Sequence, residues 1–455
     1  MVDRHPLSPR RVSCPLEPLV IPTGPAAAAG DSLTPHFAHA PIRAIVQQHV
    51  DDAAHLRHVR SVLVRAPHVR LLHLGRLDER IAAHLDGIAI AGVYGTALCH
   101  EVLDPPSTGA VFAAAVQAIG SHDAERLSGL IALAGAVPEC RAGLYSAFGW
   151  VSASALRGIT RSLLESADPW HREVGLMACA LHRVDPAAAL TAAVHDADPA
   201  VRDRALRIAG PLARSDLRTA CVAAIADEPV ERTGPAAVSA LLLGDRGVAI
   251  DALMRLAAEA PAWRMAALGL LLKVLPLERC RAIQRAIADD ANETRTSIRA
   301  AGIAGDPRDV PWLISLMDQL PHARLAGEAF SMIAGLDLAY LDLELKPPKD
   351  VPFGPNDDPD DANVAMDEDD SLPWPDPVKI AAWWKTNGAR HTPGVRHFMG
   401  KPPSVEHAVD VLKTGFQRQR AAAAQYLCLL KPGTPLFNVC APTRRQQRLL
   451  AQMGD

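Results

Sequence analysis

The side chains able to do chemistry are unevenly spread along the 455 residues. Histidines gather near the start, where His49, His55, His58, His68, His73 and His84 accompany Asp51 and Asp52. Two imidazoles at i, i+4 on a helix face with a fixed third ligand would hold zinc, but His55 and His58 stand at i, i+3. They read as surface and packing histidines. The run 357–370 places eight acids in fourteen residues and raises the question of calcium. "DDPDDANVAMDE" lacks the glycine of the sharp turn and the regular ligand spacing of a calcium loop. It reads as a solvated, flexible charge run. The eight cysteines stand singly without a CxxC pair, so neither structural zinc nor a disulfide framework is expected. No GxSxG, Walker loop, dinucleotide fingerprint or HExxH occurs, which leaves catalysis without a nucleophile, base or metal. The chain reads as non-enzymatic, with no cofactor.

A second cluster is aromatic. "LPWPDPVKIAAWW" (372–384) holds Trp374, Trp383 and Trp384 in a chain with seven tryptophans and 4% aromatic residues. Asp376 can cap a helix entered through Pro375 and Pro377, which puts Ile380, Trp383 and Trp384 on one face at i, i+3, i+4. This helix either docks onto its neighbours or keeps ring surface open for a partner. Trp374 and Trp384, with Arg418 and Arg420 further on, are the expected exposed partner-contact residues.

A third pattern is periodic. Arg141, Arg172, Arg202, Arg232, Arg264, Arg295 and Arg324 are separated by 31, 30, 30, 32, 31 and 29 residues, each ahead of a stretch rich in small residues. Seven guanidiniums on one face could grip an acidic partner. An Asp four residues before Arg172 and Arg202 favours a structural role, with each arginine bridging to an acid of its own or the adjacent unit and satisfying turn carbonyls. Pro169, Pro199, Pro229, Pro261 and Pro321 lie where a helix begins, and Asp168 and Asp198 can cap it. A period of about 30 residues accommodates two short helices and two turns.

On these residues, "ADPAVRDRALRIAG" above all, the middle of the chain resembles the short HEAT-like repeat, over roughly 107 to 340. The resemblance implies an all-α, HEAT-like α-solenoid, a right-handed superhelix of short helical pairs. "CHEVL" contains one His100–Glu101 pair similar to those of the di-iron HEAT-repeat hydroxylases, which need four such pairs. The fold also hosts DNA glycosylases and bilin lyases, so the alternative reading is a repeat enzyme acting on nucleic acid or on a cofactor-bearing protein.

The elements that must position these residues follow from composition. At this length the chain requires several domains or an elongated repeat array, and 49% hydrophobic residues with few aromatics suit close-packed helices. Residues 1–41 read as a disordered Pro-rich tail. Residues 42–106 form an N-terminal helical module, with Ile42, Ile45, Val46, Val50, Leu56, Val59 and Leu63 as its first apolar stripe. Residues 107–345 carry the repeats, 346–371 an exposed acidic Pro-rich linker, and 372–455 a C-terminal helical segment. A net charge of −4 gives no general field for phosphate backbones, so nucleic acid is not the expected partner. Pro15, Glu17, Pro18 and Pro22 interrupt any apolar signal core, and no apolar run reaches the ~18 residues of a membrane span. A soluble, cytoplasmic protein is expected.

"QQHVDDAAHLRHVRSVLVRAPHVRL", "LDERIAAHLDGIAIAG", "LPWPDPVKIAAWW" and "QRQRAAAAQYL" together are similar to an uncharacterised bacterial family, over about residues 42 to 450. Members are often encoded among accessory genes of type VI secretion systems, near spike-tip and effector-adaptor proteins. The resemblance implies a scaffold, adaptor or chaperone for protein partners such as spike or effector components. A second alternative is a structural assembly factor that self-associates through its acidic segment.

Overall fold

The computed structural model of the chain describes residues 41–349 and 367–453 and is predominantly helical. Among the described residues are 22 α-helices, short 3-10 turns, and one antiparallel pair of two-residue strands, Glu344–Leu345 with Trp374–Pro375. Nearly all of the Pro-rich tail expected over 1–41 lies outside the described residues, as does 350–366 of the acidic linker. No single helix among the described residues is long and apolar enough to cross a membrane.

Local chemistry starts the helices. The Asp168 carboxylate accepts from the Trp170 N–H ahead of Pro169–His182, and Asp198 accepts from Ala200 and Val201 ahead of Pro199–Ala209. Asp376 does the same for Val378 and Lys379 ahead of Pro377–Asn387. Proline occupies the first helical position in all three, where its missing N–H leaves no bond unmade.

Nine of the described helices form one continuous layer, each packed against the next. They are Arg43–Leu63, Thr108–Gly120, Arg141–Trp150, Pro169–His182, Pro199–Ala209, Gly234–Leu242, Pro261–Val274, Thr294–Ala304 and Ala323–Ala334. Intervening helices such as Ile159–Leu164, Val248–Glu259 and Leu277–Ala288 flank this layer. Leucine, isoleucine and alanine side chains caught between them, including Leu144, Ile208, Leu253 and Leu271, make the cores. Ile42 and Ile45, placed on the first apolar stripe by their spacing, are exposed.

The periodic arginines stand at the N-terminal ends of the layer helices. Arg172 meets Asp196 at 3.0 Å, Arg202 meets Glu228 at 3.6 Å and Arg264 meets Glu293 at 2.6 Å. Each acid precedes the next helix of the layer, while the nearer Asp168 and Asp198 are engaged as caps. Arg141 bonds the Ala134 and Gly135 carbonyl oxygens and lies over the Trp170 ring, 4.5 Å from its centroid.

The last two arginines correct the reading of the linker. The turn Leu320, Pro321, His322 carries no acid, and Arg295 turns instead to Asp369 at 2.6 Å and Glu368 at 3.3 Å. Arg324 bonds Asp367 at 2.5 Å and the Asp369 carbonyl oxygen. Asp369 is 4% exposed, so the end of the segment expected to be an exposed linker is seated on the layer. Charge explains the difference: the turn ahead of Ala323–Ala334 offers Arg295 no acid, and the acidic stretch beyond the layer supplies one.

From Arg396 onward the chain runs back across the C-terminal ends of the layer helices. The Arg396 guanidinium donates to the Lys273, Leu275 and Ala304 carbonyl oxygens, and Arg246 to those of Leu241 and Leu429. Arg445 donates to the Gly149, Val151 and Leu181 carbonyl oxygens. Most of these carbonyls lie in the last turn of a helix, where backbone N–H partners run out and the dipole is negative, so arginine satisfies both. At Gly305 (φ +69°) and Gly335 (φ +76°) two layer helices end in left-handed conformation with the returning chain pressed against them. A Cβ at Gly305 would lie 2.0 Å from the His397 carbonyl oxygen. Arg70, which opens the helix Leu71–Ile90 just after the first layer helix, reaches Asp337, just past the last one, at 2.7 Å.

Candidate functional site

Three cavities adjoin along the inside of this arrangement. The first, about 310 Å³, is lined by Arg57, Arg60, Arg65, Arg445, Tyr145 and Ser146 among others. A second of about 530 Å³ shares Val64, Arg65 and Cys440 with it and adds Lys273, Arg299 and Met265. The third, about 630 Å³, shares Glu328, Met332 and Arg418 with the second and is walled by Leu345, Trp374 and Phe416. The charged side chains change along the series, from four arginines in the first cavity to Glu328, Asp337, Asp342 and Glu344 beside the aromatic wall of the third.

Where the second and third cavities meet, Glu328 of Ala323–Ala334 faces Arg418 of Gln417–Leu430. Arg418 Nη1 donates to both carboxylate oxygens, at 2.9 and 2.8 Å, while its Nε donates to the Arg65 carbonyl oxygen. Burial pushes the Glu328 carboxyl above its ordinary range, and Arg418 only partly offsets this. One guanidinium thus joins the last layer helix to the turn after the first.

Lys273 lies near the end of Pro261–Val274, its Nζ donating to the Gly269 carbonyl oxygen at 2.6 Å. Burial and then the Arg396 charge lower its pKa to about 7, so it titrates near neutrality. In the first cavity Arg57 donates to Ser146 Oγ and the Ala142 carbonyl oxygen, and Arg60 pairs with Asp78 at 2.6 Å.

Of the four residues expected to contact a partner, Trp374 and Arg418 come together on the third cavity, and Trp384 and Arg420 do not. Trp374 is nonetheless only 8% exposed, with the Arg324 guanidinium 4.7 Å from its ring centroid. Trp384 packs against Phe330 of the last layer helix and His391, and Ile380 is fully buried beside them. Arg420 is 0% exposed; it bonds the Leu412 carbonyl oxygen, Gln417 and Gln446, and burial lowers its pKa to about 10. The expectation that Trp374 and Arg420 are exposed is therefore corrected. Arg324 of the last layer helix stacks on Trp374, and Gln446 of Thr443–Gln452 with the Leu412 carbonyl oxygen closes over Arg420.

The histidines scatter, with one exception: His49 Nδ1 and His84 Nδ1 lie 3.0 Å apart, one donating to the other. Among the described residues no group of three or more His, Cys, Asp or Glu could hold a metal ion. Lys273, Glu328 and the arginines of the first cavity escaped sequence reasoning. A signal existed for two of them: Lys273 interrupts "LGLLLKVLPL", and Glu328 interrupts "RLAGEAFSMIAG", each a charge inside an apolar helix. Comparison with protein-family models, curated proteins and solved structures finds no match for this chain.

Proposed function

We propose that the chain is a non-catalytic adaptor that holds an extended segment of a protein partner, with a component of a secretion machine as that partner. In this reading the layered helices are a HEAT-like solenoid, a right-handed superhelix with an N-terminal cap, and the C-terminal segment is the strap that closes it. The observation that carries the reading is the series of adjoining cavities between Arg57 and Trp374, which offers a cationic subsite at one end and an acidic, aromatic-walled one at the other. Met265 and Met332 add adaptable apolar wall, as suits a peptide-accommodating surface.

The test is affinity purification from the source bacterium with wild type and with Met332→Arg, which fills the junction of the second and third cavities. A secretion component retained by wild type and lost by the variant supports the reading. Recovery of general chaperones alone defeats it.

One observation favours a second reading, a repeat enzyme acting on nucleic acid or a cofactor-bearing protein: the cationic walls lead to the buried carboxylate of Glu328. Both its oxygens already accept from Arg418, which suits a fastening better than a base. Base release from single-stranded DNA by wild type but not by Glu328→Gln would promote that reading.

A further inference from the structure

We propose that the cavity between Arg57, Arg65 and Arg445 is a binding site for a phosphoryl group. Four guanidiniums line about 310 Å³, and among the described residues that line it none is acidic. Asp78, behind the wall, pairs with Arg60 and accepts from the Thr443 N–H. Arg57 and Arg445 make hydrogen bonds to hydroxyl and carbonyl oxygens but no ion pair, and the Arg65 side chain makes neither among the described residues.

Such an arrangement is unfavourable while empty. Burial first, and then the neighbouring Arg60 charge, hold Arg57 below its ordinary pKa. Arg445 is lowered to about 10 by burial and by Arg444, Arg448 and Arg60. An anion in the cavity removes the mutual repulsion and supplies acceptors for donors that now meet only neutral oxygens.

The directions of approach select the ligand. Arg57 comes from the first layer helix, Arg65 from the turn after it and Arg445 from the last helix of the chain. A carboxylate offers two oxygens in one plane, whereas a phosphoryl group offers three, arranged to meet guanidiniums from several sides. Ser61 and Ser146 hydroxyls complete a polar lining around it. The site is the cationic end of the cavity series used by the adaptor reading, but it does not depend on that reading, since a free phosphate would fill it as well as a phosphorylated partner.

The experiment is calorimetric titration of the full chain with pyrophosphate and, separately, with a phosphoserine peptide and its unphosphorylated form, at constant ionic strength. Saturable binding of pyrophosphate alone assigns a small-molecule source, and preference for the phosphopeptide assigns a modified protein. Arg65→Gln, which removes no contact of the fold, is expected to weaken either by roughly tenfold, the loss of one charge-assisted hydrogen bond. Arg57→Gln should do the same with an unchanged circular dichroism spectrum. No saturable heat with either probe, or equal binding by Arg65→Gln, overturns the proposal.

Discussion

Arg295 Nη2 lies 2.6 Å from Asp369 Oδ1, across 74 residues of sequence. The same interaction that joins Arg172 to Asp196 within the array is thereby reproduced at its end by a carboxylate from outside it. Arg295→Ala leaves Asp369 buried without its guanidinium and is expected to lower stability by about 2 kcal/mol. Urea unfolding followed by circular dichroism checks this; an unchanged midpoint would show that the end of the array needs no such carboxylate.

Trp374 and Trp384 are both fastenings. Trp374→Ala removes the surface on which Arg324 stacks, and Trp384→Ala opens space beside Phe330 and His391. Each substitution should destabilise by roughly 3 kcal/mol, the range for large aromatic truncations in packed sites. Thermal melts decide: a Trp374→Ala protein that melts with wild type contradicts its placement.

Lys273 gives stability a pH dependence with a definite sign. The folded chain takes up its proton only below about 7, against an ordinary value of 10.5 in the unfolded chain. Between those values the unfolded state binds more protons, so stability rises with pH across the window, by on the order of 5 kcal/mol in all. Lys273→Met should flatten the rise relative to wild type between pH 7 and 9, measured by urea midpoints at each pH. Parallel curves for the two proteins would refute it.

Arg445→Ala releases three carbonyl oxygens at the ends of Arg141–Trp150 and Pro169–His182. Amide exchange should accelerate at Leu436 and Thr443, which bond the Pro211 carbonyl oxygen and the Asp78 carboxylate, and stay unchanged in Val248–Glu259. Uniform acceleration across both regions would instead indicate global destabilisation.

Helices and caps were legible because their signals are local: Asp168, Asp198 and Asp376 precede prolines at helix starts, and the apolar spacing around Val46 and Val50 repeats within a few residues. The arginine period was legible too, yet the acid that answers Arg172, Arg202 or Arg264 stands near the next helix, where spacing alone did not single it out. Arg420 defeated sequence reasoning for a different reason. "QRQRAAAA" has the composition of an exposed helix start, and what buries it, Gln446 and the Leu412 carbonyl oxygen, comes from separate elements. The path from Arg396 to Gln452 has no periodic signature, because it follows carbonyl groups exposed at other helices' ends and not a repeat of its own.

The Arg70 to Asp337 tie bears on how the molecule comes apart. Linear arrays shed their terminal units first, because each end has only one neighbour to hold it. Here Arg70 and Asp337 link the segments just past the first and last helices of the layer, and the returning chain is anchored on most of those between. Each end thus has a second neighbour, so fraying there is expected to follow release of the returning chain.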